Sequence, residues 1–239
     1  MPHPKANAIL SQLSSEEFQF LLPHLKMVSL KKGEVLFEPG RAIDHYYFPL
    51  TCTLELAVDL ADGNVGSTTV INMNGIYPLH LIGSTPSHNR ATVSSPGLCY
   101  RVPAWVIHEE LRRSQSLLWL LLSEAVKLFE LASVESVCLR HHSLEQITSK
   151  LILLSMDNLG SSVISFTQQE MANSLGVRRE GVTIALRKFK KSLLIATHRG
   201  GLKVLDRVGL ERCSCDCYKT LRDLRHTTHT ATRLVPNGR

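Results

Sequence analysis

The stretch from Phe166 to Lys191 constrains the fold of this chain more than any other part of the sequence. Thr167 and, three residues later, Glu170 have the spacing of a capping box, which marks the start of a helix. Gly176 stands where the chain must turn sharply, and apolar residues recur at helical spacing on both sides of it. The apolar positions are Met171, Ala172, Leu175, Val182, Ala185, Leu186 and Phe189. The pattern predicts a helix-turn-helix, with two short helices packed against each other.

The face of the second predicted helix that remains in water is strongly basic. Its charged residues are Arg178, Arg179, Arg187, Lys188, Lys190 and Lys191, beside the single acid Glu180. A surface helix whose charges are merely solvated is the alternative interpretation. The central glycine, the small-residue spacing and the one-sided charge together favour binding to double-stranded DNA.

The charge of the chain is distributed unevenly along its length. Up to Leu139 there are 10 Lys and Arg against 13 Asp and Glu, a net charge of −3. From Arg140 onward there are 17 against 8, a net charge of +9. A chain of 239 residues is expected to hold two domains. The contrast predicts a mildly acidic N-terminal domain and a C-terminal domain that binds a polyanion.

The N-terminal part shows the two-residue period of β-strands. A short helical segment with a capping box at Ser14 and Glu17 comes first. From Met27 onward, six or more apolar-rich segments are separated by turns rich in Gly, Pro and Asn, one of which is the hairpin signal Asp62-Gly63. Short strands at this spacing indicate a β jelly-roll or barrel.

After Pro103 the pattern changes to that of helices. A long helix is predicted, with an apolar seam whose members alternate by three and four residues, as in a coiled coil. The seam consists of Leu118, Leu121, Ala125, Leu128, Ala132 and Leu139, and Glu135 interrupts it. Such a seam can also pack on its own domain. Because helix-turn-helix proteins commonly read two half-sites as dimers, we interpret it as a dimerisation helix.

The remaining sequence predicts a winged helix. A break at residues 141–143 is followed by another amphipathic helix, which leads into the helix-turn-helix. A hairpin is predicted around Gly200-Gly201, with Arg199 at its turn, and Asp206 is expected to cap one last helix. The whole chain thus predicts an α+β fold. Its parts are a β jelly-roll over residues 1–112, a long dimerisation helix over 113–140 and a winged helix-turn-helix over 141–239.

Several classes of protein are disfavoured by the sequence. The most hydrophobic run, Leu117 to Leu122, is too short to span a bilayer, and the N-terminus has no apolar core of a signal peptide. We therefore expect a cytoplasmic protein that does not associate with a membrane. No nucleophile with a base, no recognisable carboxylate pair and no phosphate loop emerges, which argues against an enzyme.

The six cysteines are too few for a disulfide scaffold in a chain of this length. Cys213, Cys215 and Cys217 resemble a metal motif at first sight. On a single helix, however, Cys215 would point away from the other two, so the three thiols could not easily converge on one ion. We therefore expect no bound metal or cofactor and a structural role for these cysteines, with a redox-sensitive thiol as the alternative.

In its order of barrel, long helix and winged helix, the chain resembles the CRP/FNR (catabolite activator protein) superfamily of bacterial transcription regulators. The likeness covers nearly the whole chain and is most specific in residues 167–195, 200–206 and 209–218. Gly33-Glu34 and Pro39-Gly40 match the opening turns of the family's sensor domain. The resemblance implies a homodimer that binds inverted-repeat promoter sites, with RNA polymerase as a further partner.

The resemblance also implies roles for single residues. Arg179 and Glu180 match the Arg-Glu pair that reads bases at the start of the family's recognition helix, and Thr183 lies one turn further along. The chemistry is consistent, since an arginine can donate two hydrogen bonds to guanine and a carboxylate can accept one from cytosine. Ile184 stands where many relatives have Arg. Phosphate contacts are expected from Thr167, Gln168, Arg178, Arg187, Lys188 and Arg199.

The predicted sensor domain departs from the cyclic-nucleotide-binding members of the family. Arg90 and Ala91 match the later part of their phosphate-binding motif, but His80 stands where the ribose-binding Glu would lie. An imidazole cannot accept two ribose hydroxyl protons as a carboxylate does, so we expect no response to cyclic nucleotide in the usual manner. The alternative is a regulator whose atypical pocket, at His80, Arg90 and Ala91, binds a variant cyclic nucleotide or haem. An N-terminal iron–sulfur cluster is disfavoured, since no cysteine precedes Cys52.

Overall fold

The computed structural model describes residues 2–59, 61, 65–79 and 88–226 of the chain, which divides into two compact units. The first unit comprises Met1–Val58, Thr69–Phe129 and His226–Arg239, and the second comprises Asp59–Thr68 and Glu130–Arg225. The predicted Asp62-Gly63 turn and His80 lie outside the described residues.

The N-terminal part of the chain is an antiparallel β domain flanked by short helices. Helices α1 (Ala8–Gln12) and α2 (Ser15–Leu21) precede the strands, and α3 (Ala104–Arg113) follows them. The strands are β1 (Lys26–Leu30), β2 (Val35–Phe37), β3 (His45–Pro49), β4 (Thr53–Asp59), β5 (Val65–Ile71), β6 (Arg90–Ser95) and β7 (Gly97–Pro103). They form one sheet in the order β1-β7-β3 and another in the order β2-β6-β4-β5. The predicted β domain and the helix after Pro103 are confirmed.

The core of this domain lies between the two sheets. Leu54 of β4, Val93 of β6 and Cys99 of β7 are buried together there, because alternate residues of each strand face inward. A second cluster joins the sheet that contains β7 to α2 and α3. At the start of α2, the side chain of Ser14 accepts a hydrogen bond from the Glu17 amide and the Glu17 carboxylate accepts one from the Ser14 amide, as the sequence predicts.

The long helix α4 runs from Gln115 to His141. Leu117 and Leu121 lie on its buried side, in the core cluster that contains α3. Glu124 and Lys127 continue the same side one and two turns further on, where their side chains are buried and form an ion pair. One side of this helix is therefore fixed against its own domain in part by a charged pair.

The structure buries part of the predicted seam of α4 within its own domain. Leu121 is completely buried inside its own domain and Leu128 packs against the core between the sheets, so neither is free to meet another chain. Leu118 and Ala125 are half-buried, whereas Ala132 and Leu139 are exposed. The large apolar residues that α4 exposes at spacings of three and four are Trp119, Leu122, Val126 and Phe129. The sequence pattern does not reveal which side of α4 is buried, because Glu124 and Lys127 make that side look polar.

The C-terminal part folds as the predicted winged helix. Its helices are α5 (Leu144–Leu159), α6 (Gln168–Leu175), α7 (Arg179–Lys191), α8 (Arg207–Cys213) and α9 (Cys217–His226). Its strands β8 (Val163–Ile164), β9 (Ile195–His198) and β10 (Gly201–Val204) form a sheet in the order β8-β10-β9. Gly200 turns the β9–β10 hairpin with φ of 83°, which favours glycine. The expected single last helix is instead α8 and α9, because the chain is extended at Ser214.

Across the described residues, no helix joins the length and the apolar character that crossing a membrane requires.

Candidate nucleic-acid interface

The turn between α6 and α7 forms as the sequence predicts. Thr167 caps α6 by accepting a hydrogen bond from the Glu170 amide at 3.2 Å, and the Glu170 carboxylate accepts one from the Thr167 amide at 2.7 Å. Gly176 ends α6 with φ of 64°, a conformation that side chains other than glycine adopt at a cost. The capping box and the glycine turn therefore fix where α6 begins and ends.

One side of α7 is buried in the winged helix and the other is exposed. The buried residues are Val182, Ala185, Leu186 and Phe189, as the helical spacing predicts. The exposed residues are Arg179, Glu180, Ile184, Arg187, Lys188, Lys190 and Lys191. We call these seven residues the basic face of α7. Since apolar packing holds the opposite side in place, the basic face is presented by a helix that cannot easily rotate.

The residues expected to read bases lie in the first two turns of α7. Arg179 and Glu180 are exposed, so both side chains can reach a ligand. Thr183 is half-buried, and its hydroxyl donates a hydrogen bond to the side-chain oxygen of Gln168 at 2.7 Å. The structure thus brings Arg179, Glu180 and Thr183 together at one end of the helix and links Thr183 to α6.

Of the residues expected to contact phosphate, Arg178 lies at the same end of α7. Arg178 occupies the N-cap position and makes no side-chain capping hydrogen bond, so the first amides of α7 remain available to an oxyanion. Thr167 and Arg187 are exposed, and Gln168 is half-buried. Arg199 is exposed at the turn of the wing.

Lys188, also expected to contact phosphate, has a partner in the structure. Its ammonium lies 2.6 Å from the carboxylate of Glu145 in α5. Both side chains are exposed, so this ion pair contributes little stability and a phosphate can compete for the lysine. The sequence pattern does not reveal this pairing because the two residues are 43 positions apart.

Ile184 is a residue of the basic face for which the sequence pattern predicts no contact with DNA. Its side chain is 56% exposed in the middle of the face, although it is fully apolar. An apolar group in a major groove can contact the methyl group of thymine. The sequence does hold a signal of this exposure. Ile184 is an apolar residue outside the helical repeat formed by the buried residues Val182, Leu186 and Phe189.

A polar network around the buried Tyr218 joins three helices of the winged helix. The Tyr218 hydroxyl donates to the Asp157 carboxylate at 2.8 Å and accepts from the Arg207 guanidinium at 2.6 Å. Arg207 also forms an ion pair with Asp157 at 2.7 Å. Burial raises the pKa of Tyr218 to about 12, and the hydrogen bond to Asp157 acts in the same direction. The network connects α5, α8 and α9. Because its pKa is raised, Tyr218 is neutral at physiological pH.

Two of the three predicted effector residues, Arg90 and Ala91, lie within the described part of the chain. Arg90 forms an ion pair with Glu38 at 3.0 Å. The Ala91 side chain is completely buried in the core between the sheets. His80 lies outside the described residues.

The cysteine prediction is wrong in one respect. Cys215 and Cys217 do not lie on one helix, because α8 ends before Ser214 and α9 begins at Cys217. They meet Cys138 and His142 from the end of α4, and the potential ligand atoms of these four residues all lie within 4.8 Å of one another. Cys213 is not part of this group. Burial raises the pKa of the Cys138 thiol, while the ammonium of Lys150 lowers it.

The comparisons with known proteins agree with this geometry. Residues 145–213 match the family model of the Crp-like helix-turn-helix domain. The search among curated protein sequences found no matching relative.

Solved structures share the fold along most of the chain. A structure from Eubacterium rectale, assigned to the crp/fnr family of transcriptional regulators, has a TM-score of 0.72 at 17% identity and covers 86% of this chain and 96% of that one. FixK2 from Bradyrhizobium japonicum has a TM-score of 0.67 at 14% identity, covering 80% and 98%. A CRP/FNR family regulator from Thermus thermophilus has a TM-score of 0.67 at 21% identity, covering 79% and 98%.

Two findings describe what this chain resembles. Residues 145–213 form a Crp-like helix-turn-helix domain, and the fold of the chain is that of solved structures from the CRP/FNR family of transcription regulators. The resemblance seen in the sequence is therefore confirmed for the helix-turn-helix domain and for the fold. The Eubacterium rectale and Thermus thermophilus proteins are described as transcription regulators.

Proposed function

We propose that the chain is a homodimeric regulator that binds double-stranded DNA at inverted-repeat promoter sites. The observation that carries this proposal is the basic face of α7, which the Crp-like helix-turn-helix domain exposes. The face is complementary in charge to a phosphate backbone, and its width is that of a single helix, which fits a major groove. RNA polymerase would be the further partner when the protein is bound at a promoter.

The residues proposed to contact bases lie in the first turns of α7. Arg179 can donate two hydrogen bonds to a guanine edge, and Glu180 can accept from a cytosine amino group. Ile184 lies one turn after Glu180 on the same exposed side, where its side chain can pack on a thymine methyl group. Together with Thr183, one turn after Arg179, these two charged side chains and one apolar side chain would specify a short run of base pairs.

The residues around these base-contacting side chains are proposed to bind phosphates. The free amides at the start of α7, together with Arg178, can hold a phosphate on one strand. Arg187, Lys188 and the wing residue Arg199 are all exposed, so they can neutralise further phosphates. Such contacts fix the position of the helix in the groove without carrying sequence information.

Dimerisation would use the exposed apolar stripe of α4. Trp119, Leu122, Val126 and Phe129 repeat at the three-and-four spacing of a coiled-coil seam and are exposed to the extent of 38–73%. A row of large apolar side chains along one helix is a recognised mark of an interaction surface. A second copy of the same helix offers the matching stripe, which a two-fold interface requires.

The β domain, we propose further, does not bind cyclic nucleotide in the usual manner. The arginine that would meet the phosphate, Arg90, already has Glu38 as an ion-pair partner. A melting curve recorded with cyclic AMP tests this, because a ligand at about 100 times its Kd adds about 2.7 kcal/mol to the stability of the folded state. We expect no shift.

The salt dependence of DNA binding tests the function directly. Fluorescence anisotropy with a labelled duplex should give an affinity whose logarithm falls linearly with the logarithm of salt concentration, at a slope of about −0.9 per phosphate contacted. Replacement of Arg178 and Arg187 by Ala should make that slope less steep by about 2. Absence of duplex binding at low salt would contradict the proposal.

A further inference from the structure

Three thiols and one imidazole meet in the second unit, and none of these four residues belongs to the basic face of α7. Cys138 and His142 are four residues apart at the end of α4, so their side chains share one side of the helix. Cys215 precedes α9 and Cys217 begins it, and the bend between α8 and α9 turns both towards α4. Sequence segments 75 residues apart thus contribute two potential ligands each.

The spacing of these side chains fits one tetrahedral metal ion. The sulfurs of Cys138 and Cys215 are 3.5 Å apart, and the Cys217 sulfur is 3.8 Å from Nδ1 of His142. A tetrahedral ion with metal–sulfur bonds of about 2.3 Å holds its ligand sulfurs about 3.8 Å from one another. The group therefore needs little adjustment to surround an ion, and it supplies the number and kind of ligands found in structural zinc sites.

We propose that Cys138, His142, Cys215 and Cys217 bind one zinc ion in a closed structural site. Three thiolates and one neutral imidazole around a divalent ion leave one negative charge. Lys150 of α5 is 1% exposed and lies with its ammonium 3.3 Å from the Cys138 sulfur, where it can donate a hydrogen bond to a metal-bound thiolate. Glu135 accepts a hydrogen bond from the same ammonium and fixes its position.

Two other chemistries fit the group less well. An iron–sulfur cluster is held in most proteins by four cysteine thiolates around a body larger than one ion, whereas this group includes a histidine and lies within 4.8 Å. A disulfide between Cys138 and Cys215 would use two of the residues and leave His142 and Cys217 without a role. Binding of a single thiophilic metal ion, by contrast, would use all four residues.

The ion would join parts of the second unit that are distant in sequence. Cys138 and His142 belong to the last turn of α4 and the residue after it, whereas Cys215 and Cys217 hold the short connection between α8 and α9. Metal binding to a site of this kind adds directly to the stability of the folded state. The inference does not depend on DNA binding, because the four ligands lie outside the basic face of α7.

Metal analysis of the full-length protein tests the proposal. The protein is purified under reducing conditions, supplied with zinc and freed of loosely bound metal by gel filtration, and its zinc is measured by mass spectrometry. We expect one zinc per chain. Replacement of zinc by cobalt should give the thiolate-to-cobalt charge-transfer band and the strong visible bands of a tetrahedral site. Removal of the zinc by a chelator should lower the melting temperature.

Single substitutions show which residues hold the metal. Cys217→Ser and His142→Ala alter half-buried ligands, so the variants should still fold, and circular dichroism verifies this. In a competition with a coloured chelator, each should lower zinc affinity by about 100-fold or more, as expected for losing a direct ligand. Cys213→Ser is the matched control, because Cys213 is a neighbouring half-buried cysteine outside the group, and it should retain one zinc per chain.

Three results would overturn the proposal. The first is a folded, reduced wild-type protein that retains no zinc and gives no tetrahedral cobalt spectrum. The second is loss of zinc in Cys213→Ser to the same extent as in Cys217→Ser. The third is a Cys138–Cys215 disulfide, found by peptide mapping in protein that cannot bind metal after reduction.

Discussion

The hydroxyl of Thr183 donates a hydrogen bond to the side-chain oxygen of Gln168 at 2.7 Å, and so links the second helix of the helix-turn-helix to the first. The Thr183 hydroxyl also lies 3.0 Å from the carbonyl oxygen of Arg179. Its methyl group is thus the part left for contact with DNA, while the hydroxyl positions Gln168 near the start of α6. The two functions of one side chain can be separated by substitution.

Thr183→Ser and Thr183→Val form a matched pair for this purpose. The serine variant keeps the hydroxyl and loses the methyl group, so we expect weaker discrimination for thymine at one position, by about 1 kcal/mol. The valine variant keeps an apolar surface and loses the bond to Gln168, so we expect similar discrimination with weaker binding to every duplex. Anisotropy titrations against duplexes with single substitutions measure both effects. An equal response in the two variants would contradict the separation.

Arg179 and Lys188 should differ in what they contribute to DNA binding. Arg179→Ala is expected to cost about 1–3 kcal/mol at one base pair, because a bidentate contact with guanine is lost. Lys188→Ala is expected to weaken binding to all sequences alike and to reduce the salt slope by about 1, because a phosphate contact is lost. The measurement is affinity for a specific and a random duplex at several salt concentrations. Equal loss on both duplexes for Arg179→Ala would refute its assignment to base reading.

Val126→Asp should dissociate the proposed dimer. Burying a valine side chain contributes about 1.5–3 kcal/mol, and a two-fold interface loses it twice while gaining a carboxylate on each side. We expect the dimer to weaken at least about tenfold, the equivalent of about 1.4 kcal/mol. Sedimentation analysis over a range of protein concentrations measures this.

Val208→Asp is the control for that experiment, since Val208 is a valine of α8 with the same exposure, 55% against 54% for Val126. It should leave the oligomeric state unchanged, because α8 is not part of the stripe. If both variants remain dimeric, the α4 stripe is not the interface between the chains.

The Tyr218 network makes the stability of the winged helix depend on pH in the alkaline range. The pKa of Tyr218 in the folded protein is raised to about 12, whereas an ordinary tyrosine titrates near about 10. The raised pKa means that the network stabilises fully below pH of about 10 and that this contribution is lost as the pH rises towards about 12. Chemical denaturation between neutral and alkaline pH should therefore show a steep loss of unfolding free energy.

Tyr218→Phe should lower the unfolding free energy at neutral pH by about 1–3 kcal/mol, because a hydrogen bond to a carboxylate is removed. It should also reduce the loss above pH of about 10, since the phenol no longer titrates. The pKa of Tyr46, in the β domain, is likewise raised to about 12 by burial, so Tyr46→Phe is the comparison for the other unit. An unchanged alkaline slope in Tyr218→Phe would contradict the role of the network.

The sequence predicts best those features that depend on local chemistry. The capping boxes of Thr167 and Ser14, the turn at Gly176 and the hairpin at Gly200 all form as expected, because each is determined within a few residues of the chain. The buried side of α7 is likewise correct, since apolar period and burial agree there.

The errors arise where burial depends on residues that are distant in sequence. Glu124 and Lys127 can lie inside because they pair with each other and face the β domain, and no local pattern shows this. The cysteine group depends on a break at Ser214 that turns Cys215 towards α4, whereas a continuous helix would have kept it apart. Arg90 gains as a partner Glu38, the residue after β2, which is 52 positions away.

The most direct test of the central claim is a selection of bound duplexes from a random DNA pool with the full-length protein. Two copies of α7 that enter successive major grooves should enrich an inverted repeat, with half-site centres about 10 base pairs apart or a multiple of that spacing. Arg179→Ala should lose the preference at one symmetric pair of positions. Enrichment of a single half-site without a repeat, or of no sequence at all, would contradict the account.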